Sequence, residues 1–312
     1  MPSGFWTIWT TVALDLVGFG IVVPILGRYA ERFGAGGLEV GLMFASFSVA
    51  QMVCAPLLGR LSDRIGRKPV IVISLLGTAL GSFITGAAGA LWVLFLGRII
   101  DGASGASVAV AQGAIADISS PEDRPRLMGM LGAAFGLGFV LGPILGGLAA
   151  LGGPHVPFYL AGTVALINAI AAAIRLPETR PVMTESTPRA RRSWKLPASP
   201  VLARFVVMTL VVSLGFSGFE ATFSLFGERR FGLTEGSTAM VFLVVGVVLV
   251  VVQGALIGPF TRKVGSWTLL LSGLLVTASG LAVLAVSNVI PVLLLAVFLI
   301  AFGQGVAGPS VL

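Results

Sequence analysis

Apolar stretches about as long as a bilayer is thick recur along this chain, separated by short polar segments. Ten such runs occur: Phe5–Leu26, Val40–Leu58, Val70–Ala87, Leu91–Ile115, Leu127–Leu151, Phe158–Ile174, Phe205–Phe226, Thr238–Ile257, Trp267–Val286 and Ile290–Leu312. Each predicts a membrane-spanning helix. The runs are continuous rather than alternating, and in hydrocarbon only helices and closed barrels satisfy every backbone N–H and C=O. The first run lacks a basic leading segment and an A-x-A cleavage site and holds Asp15 in its middle, so it reads as a first span and not as a signal peptide. The expected fold class is an all-α integral membrane protein.

Composition agrees. Of 312 residues, 56% are hydrophobic and 11% charged, with a mean hydropathy of +1.01, which excludes an ordinary soluble globule. One cysteine, Cys54, precludes an internal disulfide and argues against a thiolate metal cluster. The net charge of +7 invites a nucleic-acid reading, but the basic residues sit in alternate loops rather than on one polar face. With a cytoplasmic amino terminus, the inner loops hold Arg60, Arg64, Arg67, Lys68, Arg124, Arg126, Arg175, Arg180, Arg189, Arg191, Arg192, Lys195, Arg204, Arg262 and Lys263. The outer loops hold Arg28, Arg32, Arg229 and Arg230. This bias predicts a multi-pass protein of the cell membrane with its amino terminus inside.

A long polar stretch rich in Pro, Arg, Ser and Thr separates the sixth and seventh runs and divides the chain into a six-helix bundle (1–176), a cytoplasmic linker (177–204) and a second, partial bundle (205–312). A shift of 199 residues lays Gly59–Gly66, "GRLSDRIG", over Gly258–Gly265, "GPFTRKVG". A slightly longer shift lays Asp101–Ser107 over Gln304–Ser310. Duplication of a six-helix unit is the signature of a two-bundle secondary transporter. It predicts two further helices after Leu312, so that this chain is expected to be part of a twelve-helix protein.

In "GRLSDRIGRKP", Gly59 and Gly66 are read as permitting a tight turn, Asp63 as facing a helix amino terminus, and Arg64, Arg67 and Lys68 as holding the loop in the cytosol. The loop is either a charged latch between bundles or a plain positive-inside hairpin. Its pattern resembles the signature between the second and third spans of the major facilitator superfamily, and the similarity extends through the whole chain. That resemblance implies two pseudo-symmetric six-helix bundles, the second incomplete here. It also implies that Asp63 engages the far bundle near an eleventh span, a keeper that a chain ending at Leu312 lacks.

The fifth run carries Gly129, Gly138, Gly142, Pro143, Gly146 and Gly147. Gly138, Gly142 and Gly146 share one helix face and favour close approach of another helix, while Pro143 removes a backbone donor and favours a bend. The spacing resembles the motif of drug:proton antiporters. "ALDLVGFGIVVPIL" (Ala13–Leu26), "GPHVPF" (Gly153–Phe158) and "LFGERRFGL" (Leu225–Leu233) are similar to the tetracycline-exporter-like, twelve-helix branch. That branch implies further acids in the third and ninth spans, yet Val70–Ala87 and Trp267–Val286 hold none, which argues against a metal–tetracycline substrate.

Charge inside the membrane marks the candidate chemistry. An ionised Asp15 in mid-span costs about 2.5–3.5 kcal/mol on insertion scales, so it is expected to face a polar cavity or a cation and to titrate during transport, or else to serve as a structural hydrogen-bonding group. Arg98 and Asp101, at i and i+3, either neutralise each other or form part of the proton site, with Arg98 at the place of the superfamily's arginine in the fourth span. Gly102 and Gly105 permit a neighbouring helix to approach. Glu220 either binds a cation or proton or snorkels to the outer interface near Glu228–Arg230. Gln51, Gln112, Asn168, Gln253 and Gln304 are expected in interhelical hydrogen bonds. His155 sits in an outer loop, and Trp6, Trp92 and Trp267 lie at helix ends, as interfacial anchors do.

The sequence therefore predicts a secondary transporter, with proton-coupled efflux of a small amphipathic compound as the leading reading. A metabolite importer or symporter of the same fold, and a non-transporting truncated membrane protein, are the alternatives. No cofactor or nucleotide is expected, since no G-x-x-x-x-G-K-[ST] loop occurs. No metal cluster, nucleophile–His pair or carboxylate dyad points to an enzyme. The expected partners are substrate, protons and lipid for a monomer, with no nucleic acid.

Overall fold

The computed structural model describes residues 1–120, 122–180, 200–256, 260 and 264–307. These residues form α1 (Phe5–Glu31), α2 (Gly37–Ile65), α3 (Arg67–Gly86), α4 (Leu91–Ser104), α5 (Ser107–Ile118), α6 (Arg124–Ala150) and α7 (Val156–Arg175). After the linker come α8 (Pro200–Phe231), α9 (Glu235–Val251) with a π-helical turn over Val252–Leu256, α10 (Ser266–Val286) and α11 (Ile290–Ala307). Large apolar side chains face outward on many of them: Leu148 is 61%, Ile174 75% and Leu275 66% exposed. Such a surface requires lipid as its solvent. Linker residues 181–199, with Arg189, Arg191, Arg192 and Lys195, and the predicted repeat positions Gly258, Arg262, Lys263 and Ser310 lie outside the described residues.

Within the first bundle α1 is the central helix. Its Phe5, Ile8, Val12, Ile21 and Leu26 are almost fully buried, packed by α6 on one side and α7 on another. The contact with α6 is backbone to backbone. A Cβ on Gly142 would lie 2.4 Å from the carbonyl carbon of Gly20, one on Gly138 2.7 Å from the Leu16 oxygen, and one on Gly146 2.8 Å from the Ile21 oxygen. The three glycines thus make the smooth face expected of them. A second face of α6 meets α9 of the other bundle: a Cβ on Gly136 would lie 2.4 Å from Val250 Cγ2, and one on Gly246 of α9 2.5 Å from the Phe139 carbonyl carbon.

The duplication has a backbone counterpart. Gly66 precedes α3 with φ +114°, and Gly265, 199 residues later, precedes α10 with φ +82°. Side chains rarely adopt that region, which explains a glycine at both places.

Two expectations are corrected here. Gly59 makes no turn, because α2 continues through it to Ile65 and Gly66 alone reverses the chain. The fourth span is two helices rather than one, broken between Ser104 and Ser107, with Gly105 at φ −73°, ψ 44°. The eighth span lies where its apolar run places it, as α9 continued by the π turn to Leu256, the last described residue before position 257.

At the end of the molecule that carries Glu31 and Phe231 the bundles are tied together. Arg28 of α1 lies 3.0 Å from a Glu228 carboxylate oxygen of α8 and also donates to the Leu233 carbonyl, and Arg229 of α8 reaches Glu31 of α1 at 2.8 Å. Arg28, only 10% exposed in its side chain, is mostly shielded from water.

Candidate functional site

Between the bundles lies a cavity of about 760 Å³. Its wall is largely apolar, with Phe19, Phe47, Phe135, Phe139, Phe216, Met52 and Met128, yet three carboxylates enter it: Asp15, Asp101 and Glu220. The cavity reaches Met128 and Gly129, in the opening turns of α6. It therefore extends toward the basic-loop end, away from the Arg28 contacts.

Asp15 is placed by the glycine contact of α1 with α6, since the next residue is Leu16, whose carbonyl rests on Gly138. Its Oδ2 accepts a hydrogen bond from Ser107 Oγ, the first residue of α5. Asp101 and Arg98 meet as their spacing implies, with Arg98 Nη1 donating to Asp101 Oδ2 at 2.7 Å. The guanidinium is 2% exposed and its carbon lies 4.1 Å from the centroid of the Phe47 ring, a cation–π contact that offsets part of its desolvation. Thr78 of α3 lines the cavity with Asp101. Arg98 Nε and Nη2 have no hydrogen-bond partner among the described residues.

Glu220 lines the cavity rather than reaching for the interface. It lies within electrostatic reach of Arg98, and its Oε1 is buried without a hydrogen-bond partner among the described residues. The arginines near that interface are engaged elsewhere, Arg229 with Glu31 and Arg230 with Asn288. The site thus gathers two acids and an arginine from the first bundle and one acid from the second.

The amides divide. Asn168 donates to the Thr11 carbonyl at 2.8 Å and Gln51 to the Gly105 carbonyl at 2.7 Å, both between helices. Gln112, Gln253 and Gln304 line the cavity with Gln51, a placement that helix periodicity alone did not reveal.

The loop between α2 and α3 is anchored within the first bundle. Arg67 pairs with Asp63 at 2.7 Å and with Asp117, at the end of α5, at 2.9 Å. Asp63 therefore serves the Arg67 side chain and not a helix amino terminus. That terminus is taken by Glu178, whose carboxylate accepts from the Arg67 and Lys68 backbone N–H groups at 2.8 and 3.2 Å. Burial acts to raise the Glu178 pKa, but the backbone N–H groups of Arg180, Arg67, Lys68 and Thr179 outweigh it and hold the carboxyl below its ordinary value. Arg180 also donates to the Arg64 carbonyl. Asp117 and Glu178 were not singled out in the sequence, although each stands in a short polar segment that closes an apolar run.

Of the glycine motif, Gly147 faces Ala239 of α9 at 3.6 Å and Gly129 opens onto the cavity with nothing within 4 Å.

This two-bundle helical fold with a central cavity coincides with a sequence match to the Major Facilitator Superfamily over residues 8–312. The chain belongs to the major facilitator superfamily. It is accordingly a multi-pass membrane transporter and not an enzyme. Among curated major facilitator proteins, it is 33% identical to the class C tetracycline resistance protein of Escherichia coli over 285 residues, 88% of this chain and 72% of that one. It is 29% identical to multidrug resistance protein 2 of Bacillus subtilis (strain 168) over 264 residues, 82% and 66% of the two chains. The crystal structure of the human organic anion transporter MFSD10 (TETRAN) superposes with a TM-score of 0.78 at 24% identity, covering 100% of this chain and 85% of that one. That likeness bears on the major facilitator fold alone.

Proposed function

We propose that this transporter exports a small amphipathic compound from the cytoplasm in exchange for protons, by alternating access to the cavity between its bundles. The observation that carries the reading is the cavity wall, apolar and aromatic but holding carboxylates from both bundles. An aromatic wall binds amphipathic compounds of varied shape, and a carboxylate beside them is the group that takes up or gives off a proton. Relatives named for tetracycline and multidrug resistance point the same way. In this reading the amino terminus is cytoplasmic, the protein acts as a monomer in the cell membrane, and Asp15 carries the exchanged proton, with Arg98, Asp101 and Glu220 tuning its charge environment. Substrate and proton favour opposite states, so each lowers the affinity for the other.

The test uses inverted vesicles with an acidic interior and a panel of cationic dyes and antibiotics. Substrate-induced proton release is expected from at least one compound. A well-inserted protein that releases none, and that drives uptake of a metabolite instead, overturns export.

The Arg28 contacts carry a second expectation. If they close the outer mouth, Arg28→Ala removes charged hydrogen bonds typically worth about 1.5–3 kcal/mol each and raises the outward-open population roughly tenfold or more. Spin-label distances between the outer ends of α1 and α8 should then gain a longer component. An unchanged distance distribution would show that these contacts are not a gate.

A further inference from the structure

The break in the fourth span has an energetic cost that its surroundings offset. A helix interrupted within hydrocarbon leaves backbone carbonyls without intrahelical partners, and each must be satisfied by protein or enclosed water. Gln51 of α2 takes up one of them, donating from Nε2 to the Gly105 carbonyl at 2.7 Å. The approach is fixed one turn earlier, where a Cβ on Gly102 would lie 2.2 Å from the Phe47 carbonyl oxygen, so α2 and α4 touch through their backbones. At Gly105 a ψ of 44° departs from the helical value near −42°. This re-aims α5, whose first side chain, Ser107, meets the Asp15 carboxylate.

We propose that Ser107 and Gln51 are positioning residues for Asp15: the interruption of the fourth span presents the Ser107 hydroxyl to the carboxylate, and Gln51 holds the interruption open. The inference rests on the reading of Asp15 as the proton-carrying group. A hydroxyl donor stabilises the ionised carboxyl over the neutral one. The hydrogen bond therefore sets the pH at which Asp15 releases its proton. The charges that face Asp15 are Asp101 of α4, paired with Arg98, and Glu220 of α8 across the cavity. The neighbouring α5, α6, α7 and α9 carry their charged residues only at their ends, as Asp117, Arg124, Arg126, Arg175 and Glu235.

The test reads protonation of Asp15 without transport. Dicyclohexylcarbodiimide reacts with protonated carboxyls, and its attachment to Asp15 in the full chain, reconstituted in liposomes, is followed by mass spectrometry against pH. Ser107→Ala is expected to move the labelling midpoint upward by about one pH unit, whereas Ser107→Thr, which keeps the hydroxyl, leaves it in place. Gln51→Leu moves it in the same direction, and the double variant adds little, because both residues act through one hydrogen bond. If Ser107→Ala and Gln51→Leu both titrate like the wild type, the inference is overturned. Failure of substrate-induced proton release with the midpoint shifts intact would instead overturn the export reading alone.

Discussion

Asp15→Asn is expected to abolish substrate-induced proton release while leaving the protein folded and inserted. The amide has the shape of the carboxylate, and its oxygen still accepts the Ser107 hydrogen bond. It also removes the cost of placing a charge in mid-span, so insertion does not suffer. What it cannot do is exchange a proton, and a carrier without that exchange loses the link between the gradient and its cargo. In inverted vesicles the pH-dye signal should fall to that of vesicles lacking the protein, while binding of a fluorescent substrate to the purified variant persists. Proton release that survives Asp15→Asn would transfer the role to Asp101 or Glu220, the other carboxylates of the cavity.

The second large effect is on the fold. Gly142→Leu should destabilise the protein by several kcal/mol, beyond the roughly 1–3 kcal/mol of ordinary core overpacking, because the added atoms meet backbone. A Cβ there would lie 2.4, 2.5 and 2.8 Å from the carbonyl carbon of Gly20, the Cα of Gly20 and the nitrogen of Ile21. No rotamer relieves such a clash; only separation of α1 from α6 does. Gly129→Leu is the control, since that glycine has nothing within 4 Å. Thermal unfolding in detergent should show a large loss for the first variant and little change for the second. Equal losses would mean that the backbone contact with α1 does not set the cost, since helix propensity alone favours Leu over Gly at both positions.

The contrast between those glycines shows where sequence reasoning ends. Spacing placed Gly138, Gly142 and Gly146 on one face, and the face exists because a helix repeats every 3.6 residues. Nothing in the spacing says that Gly129 belongs to the cavity. The same local logic brought Arg98 to Asp101, which needs one helix turn and no knowledge of the fold. The break at Gly105 was hidden because Ala106, Ser107 and Val108 prolong an apolar run, so hydropathy is the same for one helix or two. The group that satisfies its freed carbonyl lies on another helix, in Gln51. Glu220 was ambiguous for a related reason: distance from the end of a run gives depth in the membrane, but the direction of the side chain depends on how the bundles meet. The Arg28–Glu228 contact joins residues 200 positions apart in the sequence, beyond any pattern short of the fold itself.

The two glycine faces of α6 constrain how such a transporter diversifies. A helix that touches α1 and α9 through bare backbone has almost no side chain to exchange, so most substitutions there are lethal before they alter specificity. The phenylalanines and methionines of the cavity present the opposite case, because similar apolar volumes replace one another at little cost to stability. New cargo is thus acquired along the cavity wall, the α6 side chains Met128, Phe135 and Phe139 included, while the glycine faces of the same helix are held by selection for folding.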